Sequence, residues 1–198
     1  MLKKKLNPPA DSSSIQWSLV EIISKEIVEE RTEIWLDKEL QNWNNLGQMI
    51  PNPPKIDADL PSVDRCKDQL REAKTPQERS IVKAGWELFG SQQIYDETIV
   101  ITAMSGVDGM CRPLGYQGFV FVGKQFAGTL SPQPMNSRTD GDISRIFLNN
   151  SSGLLIEYKR YNTNDPLCCP SGITRVLFKI EPKNAQPLLI LVRFLDNS

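Results

Sequence analysis

Four of the 198 residues are cysteines: Cys66, Cys111, Cys168 and Cys169. The last two are adjacent in "NTNDPLCCPSG" (162–172), between Pro166 and Pro170. Thiols at these positions could hold a metal, cycle electrons or staple the chain. A four-thiolate zinc site shows two C-x₂₋₄-C knuckles, and a thioredoxin-type centre needs C-x-x-C at a helix start. Neither spacing occurs. No metal and no cofactor are therefore expected, and an even count in separate loops predicts two disulfides. The alternative is four reduced thiols in a cytosolic chain. Two disulfides allow three pairings. A Cys168–Cys169 bond, with Cys66–Cys111 as the other, would close almost no loop at the paired cysteines. The other two pairings send Cys66 and Cys111 separately to Cys168 and Cys169, and each bridge then closes a long loop worth ~4 kcal/mol. Neighbouring side chains of an extended segment point to opposite faces. A double anchor at the paired cysteines is the favoured expectation.

The chain contains no histidine. This removes Ser-His-Asp and Cys-His catalysis and the commonest transition-metal ligand. Chemistry must then come from carboxylates, Lys, Tyr or Cys. Two polar, Gly/Pro-rich loops concentrate such groups: "SGVDGMCRPLGYQG" (105–118) and "SPQPMNSRTDGD" (131–142). Loops of this length are often functional. Ser137, Arg138, Asp140 and Asp108 are the candidate ligand-binding residues, because Arg138 offers a planar fork for a carboxylate or phosphate. The plainer reading makes Asp140-Gly141 a turn and pairs Arg138 with a nearby Asp. A carboxylate-based hydrolase, with Asp108, Asp140 or Asp142 in a cleft between the loops, is the enzymatic alternative. No catalytic residue is assigned. There is no phosphate-binding G-x-x-x-x-G-K-[ST], no G-x-G-x-x-G and no calcium-loop ladder.

These loops need a scaffold. Beyond residue 95 the hydrophobic period is two, giving seven strand candidates: 98–105, 118–123, 125–130, 143–150, 153–161, 173–182 and 187–195. Mostly short turns join them, which predicts antiparallel neighbours in one sheet. In 153–161 the set Leu154, Ile156, Tyr158 and Arg160 is the expected core face. Residues 187–195 are apolar on both faces, as in a central or helix-covered strand. Thr75, Pro76 and Glu78 spell a capped helix start. That helix ends either at Gly90 or near Ala84, in which case Trp86 and Leu88 open a strand. Residues 15–44 read as helical, residues 1–14 as a disordered lead and residues 47–63 as a proline-rich wrapping segment. Ile34, Trp35, Leu36, Leu40 and Trp43 are too apolar for a solvated tail and should pack on the domain. The expected fold is α+β: a predominantly antiparallel sheet of five to seven strands, one or two packed helices and an N-terminal helical extension.

The charge balance, 23 basic against 24 acidic residues, gives no reason to expect nucleic acid as a partner. No stretch approaches the ~18 apolar residues of a membrane span. The basic start "MLKKKLNPPADSSS" has no apolar stretch behind it, so it does not read as a signal peptide: either the chain is cytosolic, or an export signal was removed or never included, and with no lipobox cysteine near Met1 a lipid anchor is doubtful.

"IWLDKELQNWN", "AGWELFG", the run from Ser105 to Leu148 and "YNTNDPLCCPS" together resemble the LppP/LprE family of bacterial lipoproteins, in its cyanobacterial form, over about residues 34–181. The resemblance implies an exported protein of the cell envelope, in the periplasm or at its boundary. The division that follows is an N-terminal extension, 1–33, and one LppP/LprE-like domain, 34–198. The expected function is a non-catalytic envelope module that binds a partner protein or small ligand through its long polar loops. A cytosolic partner-binding protein is the reading that four free thiols would favour.

Overall fold

The computed structural model describes residues 34–39, 41–55 and 63–196. The chain divides into two units, and the second, Trp35–Ser198, is described below. The lead 1–14 and the helical expectation for 15–33 lie outside the described residues.

Helix α1 (Pro76–Lys83) forms where its start signal stands. Thr75 is the N-cap, Pro76 is in the first turn, and the Glu78 carboxylate accepts from the Thr75 N–H at 2.8 Å, closing the capping box. Of the two ends read in the sequence, the earlier one is found: Ala84 is the C-cap, and Trp86 and Leu88 enter a strand region. Eleven strands follow. They are β1 (Glu87–Leu88), β2 (Gln93–Tyr95), β3 (Thr98–Met104), β4 (Gly106–Val107), β5 (Pro113–Leu114), β6 (Gln117–Val122), β7 (Gln125–Thr129), β8 (Ile143–Asn150), β9 (Gly153–Arg160), β10 (Gly172–Lys183) and β11 (Gln186–Asp196). All seven strand candidates are present, and every pairing is antiparallel.

They do not form one sheet. A five-stranded sheet runs β1-β3-β6-β7, with β2 also paired to β3; a four-stranded sheet runs β11-β10-β9-β8; β4 and β5 form a small ladder. The reason is burial on both faces. Nearly every residue of β3 and β6 is buried, so their sheet needs a cover on each side. On one face Ile101, Ala103, Phe119 and Phe121 pack with Ile81 of α1, Trp86 and Leu88. Alternation sends Val100, Met104 and Val120 to the other face. There the Tyr158 hydroxyl donates to the Leu130 carbonyl at 2.8 Å and Thr98 Oγ1 to the Ser151 carbonyl at 2.9 Å, tying the four-stranded sheet across. Leu154, Ile156 and Tyr158 of β9 are buried, as the alternation predicts.

Strand β11 is neither central nor covered by a helix. It is an edge strand that lies beside β7, the edge of the other sheet. What covers both is residues 41–45, which form neither helix nor strand; the only helical turn nearby among the described residues is Trp35–Asp37. Asn42 Oδ1 accepts from the Leu191 N–H of β11 at 3.3 Å. Asn44 Oδ1 accepts from the Thr129 N–H of β7 at 2.8 Å, and Asn44 Nδ2 donates to the Thr129 carbonyl at 3.1 Å. The side-chain amide thereby replaces a neighbouring strand's peptide group. Trp43 Nε1 also donates to the Thr129 carbonyl, at 3.1 Å. The Trp35 ring meets Trp43, Tyr158 and Phe194. Local helix propensity loses here to tertiary bonds. Gly128 makes the approach possible, since a Cβ there would sit 2.4 Å from Asn44 Cγ.

The disulfides differ from the favoured pairing. Cys66 bonds Cys111, with Cα atoms 5.6 Å apart, and Cys168 bonds Cys169. Loop length ranks the stabilisation of a bridge, but proximity decides whether it forms. The 3₁₀ segment Val63–Gln69 lies beside β4, which brings Cys66 to the turn carrying Cys111.

Two measurements follow. Asn44→Ala should cost ~2 kcal/mol in urea unfolding, because the Thr129 N–H loses its partner in a buried place and the Thr129 carbonyl keeps only the Trp43 Nε1 bond. Asn44→Asp should cost more, since it sets a carboxylate against the Thr129 carbonyl. The double variant Cys66→Ser/Cys111→Ser opens a bridge of sequence separation 45 and should cost ~4 kcal/mol on the chain-entropy scale. Cys168→Ser/Cys169→Ser should leave global stability nearly unchanged, and equal losses from the two pairs would contradict this account.

Candidate functional site

The two long loops are knitted into one body. The first is a hairpin closed by β4 and β5, with Asp108 at its hub. Asp108 Oδ1 accepts from the N–H groups of Met110 (2.8 Å) and Arg112 (2.9 Å). Its Oδ2 takes the Arg112 fork, Nε at 2.8 Å and Nη2 at 2.7 Å. Burial pushes this carboxyl up, but the bonds from Arg112 and Met110 and the Arg112 charge outweigh it and hold the group below its ordinary value. Arg112 Nη1 donates to the Leu167 carbonyl, which also accepts from the Tyr161 hydroxyl at 2.6 Å. The carbonyl immediately before the paired cysteines is thus held by the Asp108 hairpin.

The second loop docks on the first. Ser137 is fully buried, and both its hydroxyl (2.8 Å) and its N–H (3.2 Å) donate to the Pro113 carbonyl. Asn136 Oδ1 accepts from the Gly115 N–H at 2.7 Å. Tyr116 and Met135 exchange both backbone bonds at 2.8 Å. Asp140 closes its own turn, accepting from the Asn136 N–H at 2.8 Å and from Thr139 Oγ1 at 3.1 Å.

Of the four candidate ligand-binding residues, then, the structure brings Asp108 and Arg138 together, with Arg138 Nε 3.9 Å from Asp108 Oδ2. Ser137 lies buried against Pro113, while Asp140 serves its local turn. Only Arg138 of the four is exposed.

Beside the loop pair is an open cleft of about 840 Å³. Pro113 and Tyr116 of the first loop and Asp142 of the second reach it, so Asp142 alone of the three hydrolase candidates lines it. Gly141 sets the approach: its φ is +85°, and a Cβ would lie 1.6 Å from the Lys159 carbonyl oxygen. The Tyr116 hydroxyl donates to the Gly141 carbonyl at 2.7 Å, and burial raises that hydroxyl's pKa well above the ordinary tyrosine value. Burial also raises Asp142, against the opposing charges of Arg112 and Lys159.

The far wall of the cleft is a charged row across the four-stranded sheet. Register places Arg145 opposite Glu157 and Glu157 opposite Arg175. Burial pushes the Glu157 carboxyl up, but a 3.0 Å bond from Ser144 Oγ, the Arg175 fork at 3.0 and 2.8 Å and the Arg145 charge hold it low. Arg145 and Lys159 make no ion pair within 4.0 Å among the described residues, and both are exposed. None of this row was singled out from the sequence. The available signal was the alternation in 153–161, which puts Glu157 and Lys159 on the face opposite Leu154, Ile156 and Tyr158.

The fold and site define a class: a disulfide-bonded, antiparallel two-sheet domain whose polar loops close on each other beside a charged cleft. Within that class, residues 93–183 match the family model of the LppP/LprE lipoproteins. The match begins at Gln93 in β2 and runs through β10, taking in both loops, the charged row and Cys168–Cys169, so over this span the chain is similar to that family. No curated protein matches the chain, and no solved structure does.

The ionisation of these carboxyls sets a pH signature. Asp142 is raised in the fold, so it favours folding when protonated and opposes it as pH rises through its folded value. Asp142→Asn should stabilise the protein at neutral pH, and the gain should vanish as the pH falls through the carboxylate range. Asp108, Glu78 and Glu157 are lowered, and the stability they contribute is lost on acidification. Asp108→Ala should cost ~3 kcal/mol at neutral pH, by stranding the Arg112 charge, and much less in acid. Thermal denaturation of both variants across pH checks the two signs.

Proposed function

We propose that this chain is an extracytoplasmic, lipoprotein-like module of the cell envelope that acts by binding a partner, not by catalysis. The observation that carries the reading is how the loop groups are used. Asp108, Ser137 and Asp140 all bond within the loop pair, whereas Arg138 and the cleft walls face solvent. Groups tied into buried pairs build a rigid platform; a catalytic acid or base must instead reach a substrate proton. The similarity to a lipoprotein family and two disulfides support a place outside the cytoplasm. Among the described residues no helix is long and apolar enough to cross a membrane.

The test is site-specific photocrosslinking in intact envelopes. A crosslinker at Ser91 or Arg138, both exposed beside the loops, should give defined adducts, and one at exposed Lys183 should not. Fractionation should place the protein outside the cytoplasm with no alkylatable thiol. Recovery from the cytosol with four reactive thiols, or hydrolytic turnover abolished by Asp142→Asn, would overturn the reading.

A further inference from the structure

Cys168 and Cys169 are bonded to each other across a sequence separation of 1, and both are exposed. The other bridge is their opposite. Cys66 is buried, Cys111 is half-buried, and 45 positions separate them.

Exposure and span decide how each bridge responds to a thiol. A disulfide is opened by a thiolate that reaches one of its sulfurs, so access governs the rate. Equilibrium follows from a thermodynamic cycle: whatever stability a bridge lends the fold, the fold returns to the bridge. Cys66–Cys111 restricts a long stretch of the unfolded chain, so folding holds it shut. Cys168–Cys169 closes almost no chain, and folding gives it no such protection.

The surroundings keep an opening local. Asp165 ties the neck of the loop between β9 and β10. Its Oδ2 accepts from the Asn162 N–H at 2.7 Å and from the Ser171 N–H at 2.9 Å, and its Oδ1 accepts from Ser171 Oγ at 2.8 Å. Asn162 Nδ2 also donates to Ser171 Oγ, at 2.8 Å. None of these bonds involves sulfur, so the neck survives loss of the bridge. Inside the neck, the Cys169 N–H donates to the Pro166 carbonyl at 2.9 Å. The Leu167 carbonyl, in the peptide unit that enters Cys168, takes Arg112 Nη1 and the Tyr161 hydroxyl. The bridge therefore adjoins the one contact that links this loop to the Asp108–Arg112 pair.

We infer that Cys168–Cys169 is a thiol–disulfide exchange site, opened by a dithiol reductant while the domain and its buried bridge stay intact. One thiolate of the reductant attacks a cysteine sulfur; the S–S bond breaks, giving a mixed disulfide and one cysteine thiolate. The second thiolate of the reductant then displaces the other cysteine. Two electrons pass to the pair, each cysteine sulfur ends with a proton, and the reductant leaves as a disulfide. Opening the ring frees the Leu167–Cys168 peptide, and Arg112 carries the change to the Asp108 hairpin.

The test is titration of the native full chain with dithiothreitol, followed by iodoacetamide and peptide mass spectrometry. Cys168 and Cys169 should be alkylated at a dithiothreitol concentration at least ~10-fold below the one that exposes Cys66 and Cys111. At that concentration the thermal midpoint should be unchanged, and oxidised glutathione should restore the bond. Amide exchange should quicken at 167–169 and at 110–112, whose N–H groups bond Asp108, and stay constant in β3 and β6. Both bridges opening together, Cys66–Cys111 opening first, or Cys168–Cys169 opening only in urea would overturn the inference. Faster exchange throughout the domain would overturn it too, and unchanged exchange at 110–112 would overturn the link to Asp108. These measurements need no partner, so they stand or fall apart from the binding reading.

Discussion

The unpaired edge of a β-sheet is the constraint on which this structure turns. Two antiparallel sheets present four rows of peptide groups that must bond to something or stay wet. At one seam the solution is the side chains of two asparagines. Asn44 gives Thr129 both a donor and an acceptor, and Asn42 gives Leu191 an acceptor. An amide suits the task because it has the same groups as a peptide bond. The indole of Trp43 then packs on Trp35 and Phe178 beside the seam. At the other seam β2 lies beside β8 without pairing to it, and a cleft remains. One protein thus shows an edge problem solved internally and the same problem left open.

The loop body depends on the same economy of polar groups. Asp108 accepts two backbone bonds and a two-pronged guanidinium, and Arg112 Nη1 donates to the Leu167 carbonyl. Two segments distant in sequence, the 108–112 hairpin and Leu167, are joined through one buried ion pair. Such a pair is costly to break and only modestly favourable to form, so its role is to hold geometry. The geometry held is the wall of the cleft, where Pro113 and Tyr116 meet Asp142.

Much of this was legible in the residues. The seven strands follow from period two, and α1 from Thr75, Pro76 and Glu78, because these signals are local and agree with the burial that tertiary structure imposes. The failures share a cause. Residues 34–44 carry a helical pattern, yet Asn42, Trp43 and Asn44 bond to strands some 85 to 150 positions away, which no local period can report. The single sheet became two because strands buried on both faces demand two covers, and the pattern does not say which strands supply the second. The pairing of Cys66 with Cys111 rests on where the 3₁₀ segment lies. The site was half visible: the loops were identified as units, but the Arg145–Glu157–Arg175 row is a product of register between strands, and register is written across the sheet.

The seam closed by Asn42 also constrains the order of events in synthesis. Its partner Leu191 stands 149 positions later, in the last strand described. Contacts of such long range form late, because the chain entropy between them must first be lost. Residues 35–45 leave the ribosome early but find no complete binding surface until β11 has been made. Until then the Trp35 and Trp43 indoles have no finished core to enter. A chain built this way cannot close this seam during elongation. The segment from Asn42 to Asn44 must wait, unpaired at Leu191, until the last strand is made.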